Sequence, residues 1–205
     1  MRKLLMTGFD AFGGESVNPA LRAVERLEGF SAGDIQVETL EIPTVFGKAF
    51  EVIRAAIEEK KPDIVVSVGQ SGGIHAIRVE RLAVNLDDAR IKDNEGNQPK
   101  DEKIVPDGPI GYWAGLPVKE IVEDLQAGGI PAFVSYTAGT FVCNHVFYAT
   151  THYMESKGLD IPVGFIHVPF LPEQVIDKGF PVPSMSEETI ARSLEIAVAT
   201  MAKNL

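Results

Sequence analysis

The 205 residues read as an α/β protein, a mixed, largely parallel sheet sandwiched between helices. Short β-branched apolar runs, such as IVVSVG at 64–69 and IPVGFIHV at 161–168, alternate along the chain with stretches whose apolar residues recur at helical spacing. No internal repeat, low-complexity tract or linker divides the chain, so residues 1–205 are read as a single domain. With 45% hydrophobic and 23% charged residues, that length supplies a core large enough to need no disulfide or metal staple.

Residues 2–7 (RKLLMT) form a strand ending at Gly8, and Asn18-Pro19 opens a helix in which Leu21, Val24 and Leu27 share a face. A strand is predicted at 35–42. It is followed by a helix from about Val45 to Lys61, striped by Phe46, Phe50, Val52, Ile53 and Ile57 and ended by Pro62-Asp63. IVVSVG suits a strand buried on both faces, and AIRVERLAVN at 76–85 reads as one longer, more polar strand. Residues 86–116 differ: charged, dotted with Gly and Pro and longer than ordinary connections, they read as a flap or excursion within the domain. A helix at 117–127, a strand at 131–136, a helix from near Cys143 to about Lys157 and the strand 161–168 follow. A Pro-rich loop then leads to a final helix at 187–203, with Ser186 as N-cap and Glu187-Glu188 in the first turn.

Composition excludes several roles. With 29 Asp and Glu against 19 Lys and Arg, the net charge of −10 repels phosphate backbones and anionic lipid, so neither nucleic acid nor a membrane is an expected partner. No apolar run approaches the roughly 20 residues of a bilayer span, and the run in MRKLLMTGFDAFGG is too short for a signal peptide. The single cysteine, Cys143, makes no internal disulfide and fits a reducing compartment, so a cytoplasmic protein is expected. No HExxH, CxxC or EF-hand spacing occurs, so no metal is expected. GFDAFGG and VGQSGG match neither the phosphate-loop nor the dinucleotide pattern.

Reactive residues cluster at predicted strand ends, where open α/β sheets bind ligands. The turn TAGTFVC places Cys143 at a helix start, where free N–H groups and the helix dipole favour a thiolate and offer donors to an oxyanion. A buried structural cysteine reads equally well. His167 closes an apolar strand just before Pro169, either leaning towards Cys143 or serving as a satisfied structural residue. His145 points to another helix face, His152 is more than two turns from Cys143, and His75 is a weaker rival in a loop. A Cys–His pair needs a third group to fix the imidazole, and Glu80 is the best candidate. From the residues alone, an ion pair of Glu80 with Arg78 or Arg81 is favoured over that role. Asp87, Asp88 and Asp93 are alternatives read as solvated. Phe9, Phe12, Phe141 and Val142 stand at strand ends, where they line an apolar slot for a flat, uncharged group or pack locally.

Taken together, GFDAFGG with Asn18-Pro19, VERLAVN at 79–85, DARIKDNEG at 88–96, AGTFVCN at 138–144 and GFIHVPFLPEQ at 164–174 resemble the pyroglutamyl peptidase I family of cysteine peptidases. The resemblance runs over nearly the whole chain, down to VPSM at 182–185. It implies a three-layer α/β/α fold shared with purine nucleoside phosphorylases, and removal of N-terminal pyroglutamate from peptides without a cofactor. It assigns the nucleophile to Cys143, the general base to His167 and the orienting acid to Glu80. Arg90 falls where the family has an arginine near the active site, in an oxyanion or positioning role. Phe9 and Phe12 fall on the pair bracketing the lactam ring, with Phe141 and Val142 completing the pocket. Phe141 and Thr137 depart from the family pattern, which often has Tyr and Asn there. The resemblance further implies a homotetramer. The rival readings are a nucleoside phosphorylase on the same fold and a binding protein that has lost catalysis.

Overall fold

The structure, a computed structural model, describes residues 1–205. Along the chain lie β1 (Arg2–Phe9), α1 (Pro19–Glu25), β2 (Ser31–Ala32), β3 (Ile35–Ile42), α2 (Lys48–Lys60), β4 (Ile64–Gln70) and β5 (Ile77–Glu80). There follow β6 (Leu82–Val84), β7 (Gly111–Trp113), α3 (Val118–Ala127), β8 (Ala132–Ser135), α4 (Val142–Ser156), β9 (Val163–Val168) and α5 (Glu187–Asn204). Seven strands make one sheet in the order β2-β3-β1-β4-β9-β5-β8. β3, β1, β4 and β9 are mutually parallel, whereas β5 and β8, parallel to each other, run antiparallel to β9. The sheet is thus mixed and largely parallel, in keeping with the alternation of the sequence.

Side-chain alternation splits each strand between two cores. Leu4, Met6, Val66 and Ile166 pack with α1, α3 and α5 on one face of the sheet. Leu5, Phe9, Val65 and Phe165 pack with α2 and α4 on the other, which gives three layers. Each buried aliphatic or aromatic side chain contributes about 1.5–3 kcal/mol relative to exposure. α1 lies so close on β1 that a Cβ at Gly8 would stand 2.7 Å from Leu21 Cα. Asn18 starts that helix, accepting Ala20 N–H at 3.0 Å while its amide donates to Asp10 O at 2.9 Å. α2 begins at Lys48 rather than near Val45 because Gly47 adopts a φ of +71°, outside the helical range. Ser186 caps α5, accepting Thr189 N–H at 3.2 Å.

The stretch 76–85 is not one strand. Arg81 N–H donates to Ser135 O of the large sheet at 2.7 Å, but its carbonyl accepts Ala114 N–H at 3.0 Å. Hydrogen bonding therefore changes sheets at Arg81, and β6 pairs with β7 in a separate antiparallel ribbon. That ribbon closes the ends of the 86–116 excursion, and an Asp87–Glu102 bridge ties it across. Buried Asn144 of α4 fastens β6 to the helix, accepting Val84 N–H at 3.0 Å and donating to Val84 O and Leu86 O at 2.9 and 3.0 Å.

Candidate active site

Cys143 is the second residue of α4 and half-buried. Helix starts leave N–H groups with no carbonyl a turn earlier to bond, and here the N-cap, Phe141, supplies no side-chain acceptor. Those donors and the positive end of the helix dipole favour a thiolate, and then an oxyanion. β8 does not deliver Cys143 by itself, because it runs antiparallel to β9. The segment 136–141, tied to the excursion by Asp88 N–H to Thr140 O at 3.0 Å and Thr140 Oγ1 to Asp88 O at 2.8 Å, brings α4 over β4.

There the thiol rests on Gly69, where a Cβ would stand 2.9 Å from Sγ. Gly69 is the register partner of His167. In the antiparallel pairing of β5 with β9, Arg78 stands opposite His167 and Glu80 opposite Phe165, so all three polar side chains share one face. His167 Nδ1–H donates to Glu80 Oε1 at 2.8 Å, with Glu80 fully buried and His167 nearly so. This fixes the tautomer and leaves Nε2 for the thiol. Burial by itself lowers the imidazole's basicity, but the hydrogen bond and charge of Cys143, followed by those of Glu80, outweigh it and raise the pKa of His167 to about 9. Glu80 pairs with His167 and with neither arginine. Arg78 lies over the Phe133 ring at 5.4 Å and Arg81 over the Trp113 ring at 5.7 Å.

A cavity of about 450 Å³ opens over the thiol, and its walls include Cys143, His167, Phe12, Phe141, Arg78 and Arg90. Phe12 and Phe141 stand 6.2 Å apart between ring centroids, tilted by 35°. Phe9 and Val142, expected to line the slot, do not. Strand alternation turns Phe9 inward onto Phe165, with centroids 6.2 Å apart, and Val142, one helical step from Cys143, points into the same core. Both support the cavity from behind.

Sequence reasoning missed a second layer. Asp87 and Asp93, read as solvated, are buried. Asp93 accepts Phe46 N–H at 3.0 Å, Glu95 N–H at 2.9 Å and Asn97 N–H at 2.8 Å. Burial raises its carboxyl, but these donors and the Asn97 amide outweigh that and hold it below the usual carboxylate range. Asp87 Oδ2 meets His145 Nδ1 at 2.7 Å, and His145 Nε2 accepts Gly47 N–H at 3.3 Å. Phe46 is thereby held edge-on to both His145, at 5.6 Å, and Phe141, at 5.3 Å. The Asp-Asn-Glu-Gly run at 93–96 was the available signal, since such runs bond their own backbone in turns. His75 is exposed and His152 bonds the Tyr112 hydroxyl.

The family model for pyroglutamyl peptidase matches residues 2–204. A pyrrolidone-carboxylate peptidase of Bacillus licheniformis is 53% identical over 201 residues, 98% of this chain and 93% of that protein. One of Bacillus subtilis is 50% identical over 202 residues, with the same coverage. The crystal structure of Bacillus amyloliquefaciens pyroglutamyl peptidase I superposes with a TM-score of 0.95 at 50% identity, covering 99% of this chain and 98% of that one. A mutant pyrrolidone carboxyl peptidase from Pyrococcus furiosus gives 0.96 at 47% identity, covering 99% of both chains. A thiol on a glycine beside a carboxylate-bound histidine, on a fold these enzymes share, sits in a chain that belongs to the pyroglutamyl peptidase family.

Proposed function

We propose that this protein hydrolyses the bond after an N-terminal pyroglutamyl residue, using Cys143, His167 and Glu80 as nucleophile, acid–base and orienting acid. The observation that carries the reading is the seating of the Cys143 thiol on Gly69, opposite a histidine whose other nitrogen is bonded to buried Glu80. The thiolate attacks the pyroglutamyl carbonyl, and the oxyanion is held by the Cys143 N–H with help from Arg90. His167 Nε2 gives its proton to the leaving amine as the carbon–nitrogen bond breaks, leaving a thioester. It then takes a proton from water, whose oxygen displaces sulfur to release pyroglutamate. Phe12 and Phe141 grip the uncharged lactam. An N-terminal glutamyl residue would bring an ammonium group between those rings, where its desolvation goes uncompensated.

The reading is tested by release of a chromogenic amine from a pyroglutamyl amide, with glutamyl and prolyl amides alongside, before and after iodoacetamide. Selective, alkylation-sensitive release supports it. No release from protein with a reactive thiol overturns it, and phosphate-dependent nucleoside cleavage would replace it with the phosphorylase reading. The need for a reduced Cys143 supports a cytoplasmic location, which cell fractionation tests. Exposed Ile110, Trp113, Tyr136, Ile176 and Phe180 support self-association as a homotetramer, which light scattering tests.

A further inference from the structure

Beside the catalytic imidazole stands a cation with no acidic partner. Arg78 is directly opposite His167 in the β5–β9 pairing, on the same face of the sheet, and lines the cavity. Its guanidinium lies over the Phe133 ring, and its Nε is buried without a hydrogen-bond partner. The nearest acid along its own strand, Glu80, is bonded to His167 instead. In a chain of net charge −10, a partly buried arginine left without an acid has a vacancy for an anion. Exposed Asp88 and Arg90, also in the cavity wall, carry opposite charges.

The reaction fixes which part of a substrate comes to this point. His167 protonates the departing amine, so the residue behind the scissile bond lies against His167 and, beyond it, Arg78. In a dipeptide, the α-carboxylate oxygens are only three bonds from that nitrogen. We propose that Arg78 is a specificity-determining residue that binds a carboxylate on the leaving residue, which makes pyroglutamyl dipeptides with a free carboxyl terminus the preferred substrate class. This rests on the peptidase reading above. Arginine suits the task because its fork matches a carboxylate and its charge persists at every working pH.

The test compares kcat/KM for pyroglutamyl-alanine, pyroglutamyl-alanine amide and pyroglutamyl-aspartic acid α-amide in the wild type, Arg78→Gln and Arg78→Lys. Wild type should favour the free acid over the neutral amide by about tenfold, the scale of one charge-assisted hydrogen bond. The ratio should collapse towards one in Arg78→Gln and survive in part in Arg78→Lys. Because it is taken within each enzyme, the ratio cancels any general loss of activity. The aspartyl amide locates the carboxylate: a smaller gain there than for the free acid supports the terminal carboxylate, and an equal gain overturns the preference for a free carboxyl terminus. Should the variants fail to fold, erosion of the wild-type ratio by added salt supports the proposal and an unchanged ratio counts against it. A wild-type ratio near one, or a ratio retained in Arg78→Gln, overturns it while leaving the peptidase reading in place. Failure of the wild type to cleave any of the three substrates overturns both.

Discussion

His167 Nδ1 and Glu80 Oε1 meet at 2.8 Å, buried between β9 and β5, two interior strands of a seven-stranded sheet. An uncompensated carboxylate there would be costly, so the bond to an imidazolium is what permits a fully buried Glu80. Glu80→Gln removes the charge and frees the ring to take the other tautomer. It should lower kcat by on the order of 10²–10⁴, with less loss than His167→Ala, as steady-state assays would read. An equal loss would mean that Glu80 does more than orient.

Cys143→Ala should abolish turnover while far-ultraviolet circular dichroism and the melting temperature stay close to wild type, because the thiol is only half-buried. Substantial residual hydrolysis would remove Cys143 from the mechanism.

Gly69→Ala is a sharper probe of the seat beneath the thiol. The added methyl would stand 2.9 Å from Sγ and 2.8 Å from the Phe165 ring, so the thiol and the ring must shift from their places beside His167. Overpacking of this kind costs about 1–3 kcal/mol of stability. The expected kcat loss is on the order of 10²-fold, because a displacement of about 1 Å misaligns attack. Full activity in a stable Gly69→Ala protein would contradict the seat.

The pKa of His167, raised to about 9 mainly against its own burial, sets two pH dependences. Loss of the imidazolium proton removes the acid for the leaving amine, so kcat/KM should fall above about pH 9, an apparent value belonging to the coupled Cys143–His167 pair. For stability the sign is the same. A folded pKa above the unfolded value of about 6.5 contributes stability that is complete below pH 6.5 and lost as pH rises through about 9. Melting temperatures across that window should decline in wild type and flatten in His167→Phe.

His145→Ala should both destabilise the fold and loosen substrate binding. It leaves Asp87 Oδ2 and Gly47 N–H without their partner, at a cost of about 1–3 kcal/mol, and frees Phe46 from behind Phe141. The melting temperature should drop by several degrees and KM should rise more than kcat falls. Unaltered melting would mean that water replaces both bonds.

What the sequence disclosed and what it hid divide along physical lines. Strand and helix positions were legible from period and caps such as Asn18 and Ser186, because those signals are local. Cys143, His167 and Glu80 stood out as reactive groups bordering apolar runs, but only the β4–β9 and β5–β9 registers bring them to one point. Phe9 and Val142 were misplaced because a single step along a strand or helix decides whether a side chain faces a cavity or a core. The break at Arg81 was hidden because AIRVERLAVN keeps its apolar rhythm while its hydrogen-bond partners change. Burial of Asp87 and Asp93 was illegible because it depends on Gly47 and Phe46, far away in the chain.

The antiparallel insertion of β5 beside β9 has a dynamic consequence. Glu80 and His167 belong to interior strands with neighbours on both sides, whose amides exchange with solvent only when the whole sheet opens. Phe12, Arg90 and Thr137–Phe141 lie on loops, which open locally and often. Proton handling is thus built into the interior of the sheet and substrate capture into the loops beside it. Peptides can come and go through a wall that breathes while the acid–base pair keeps its geometry.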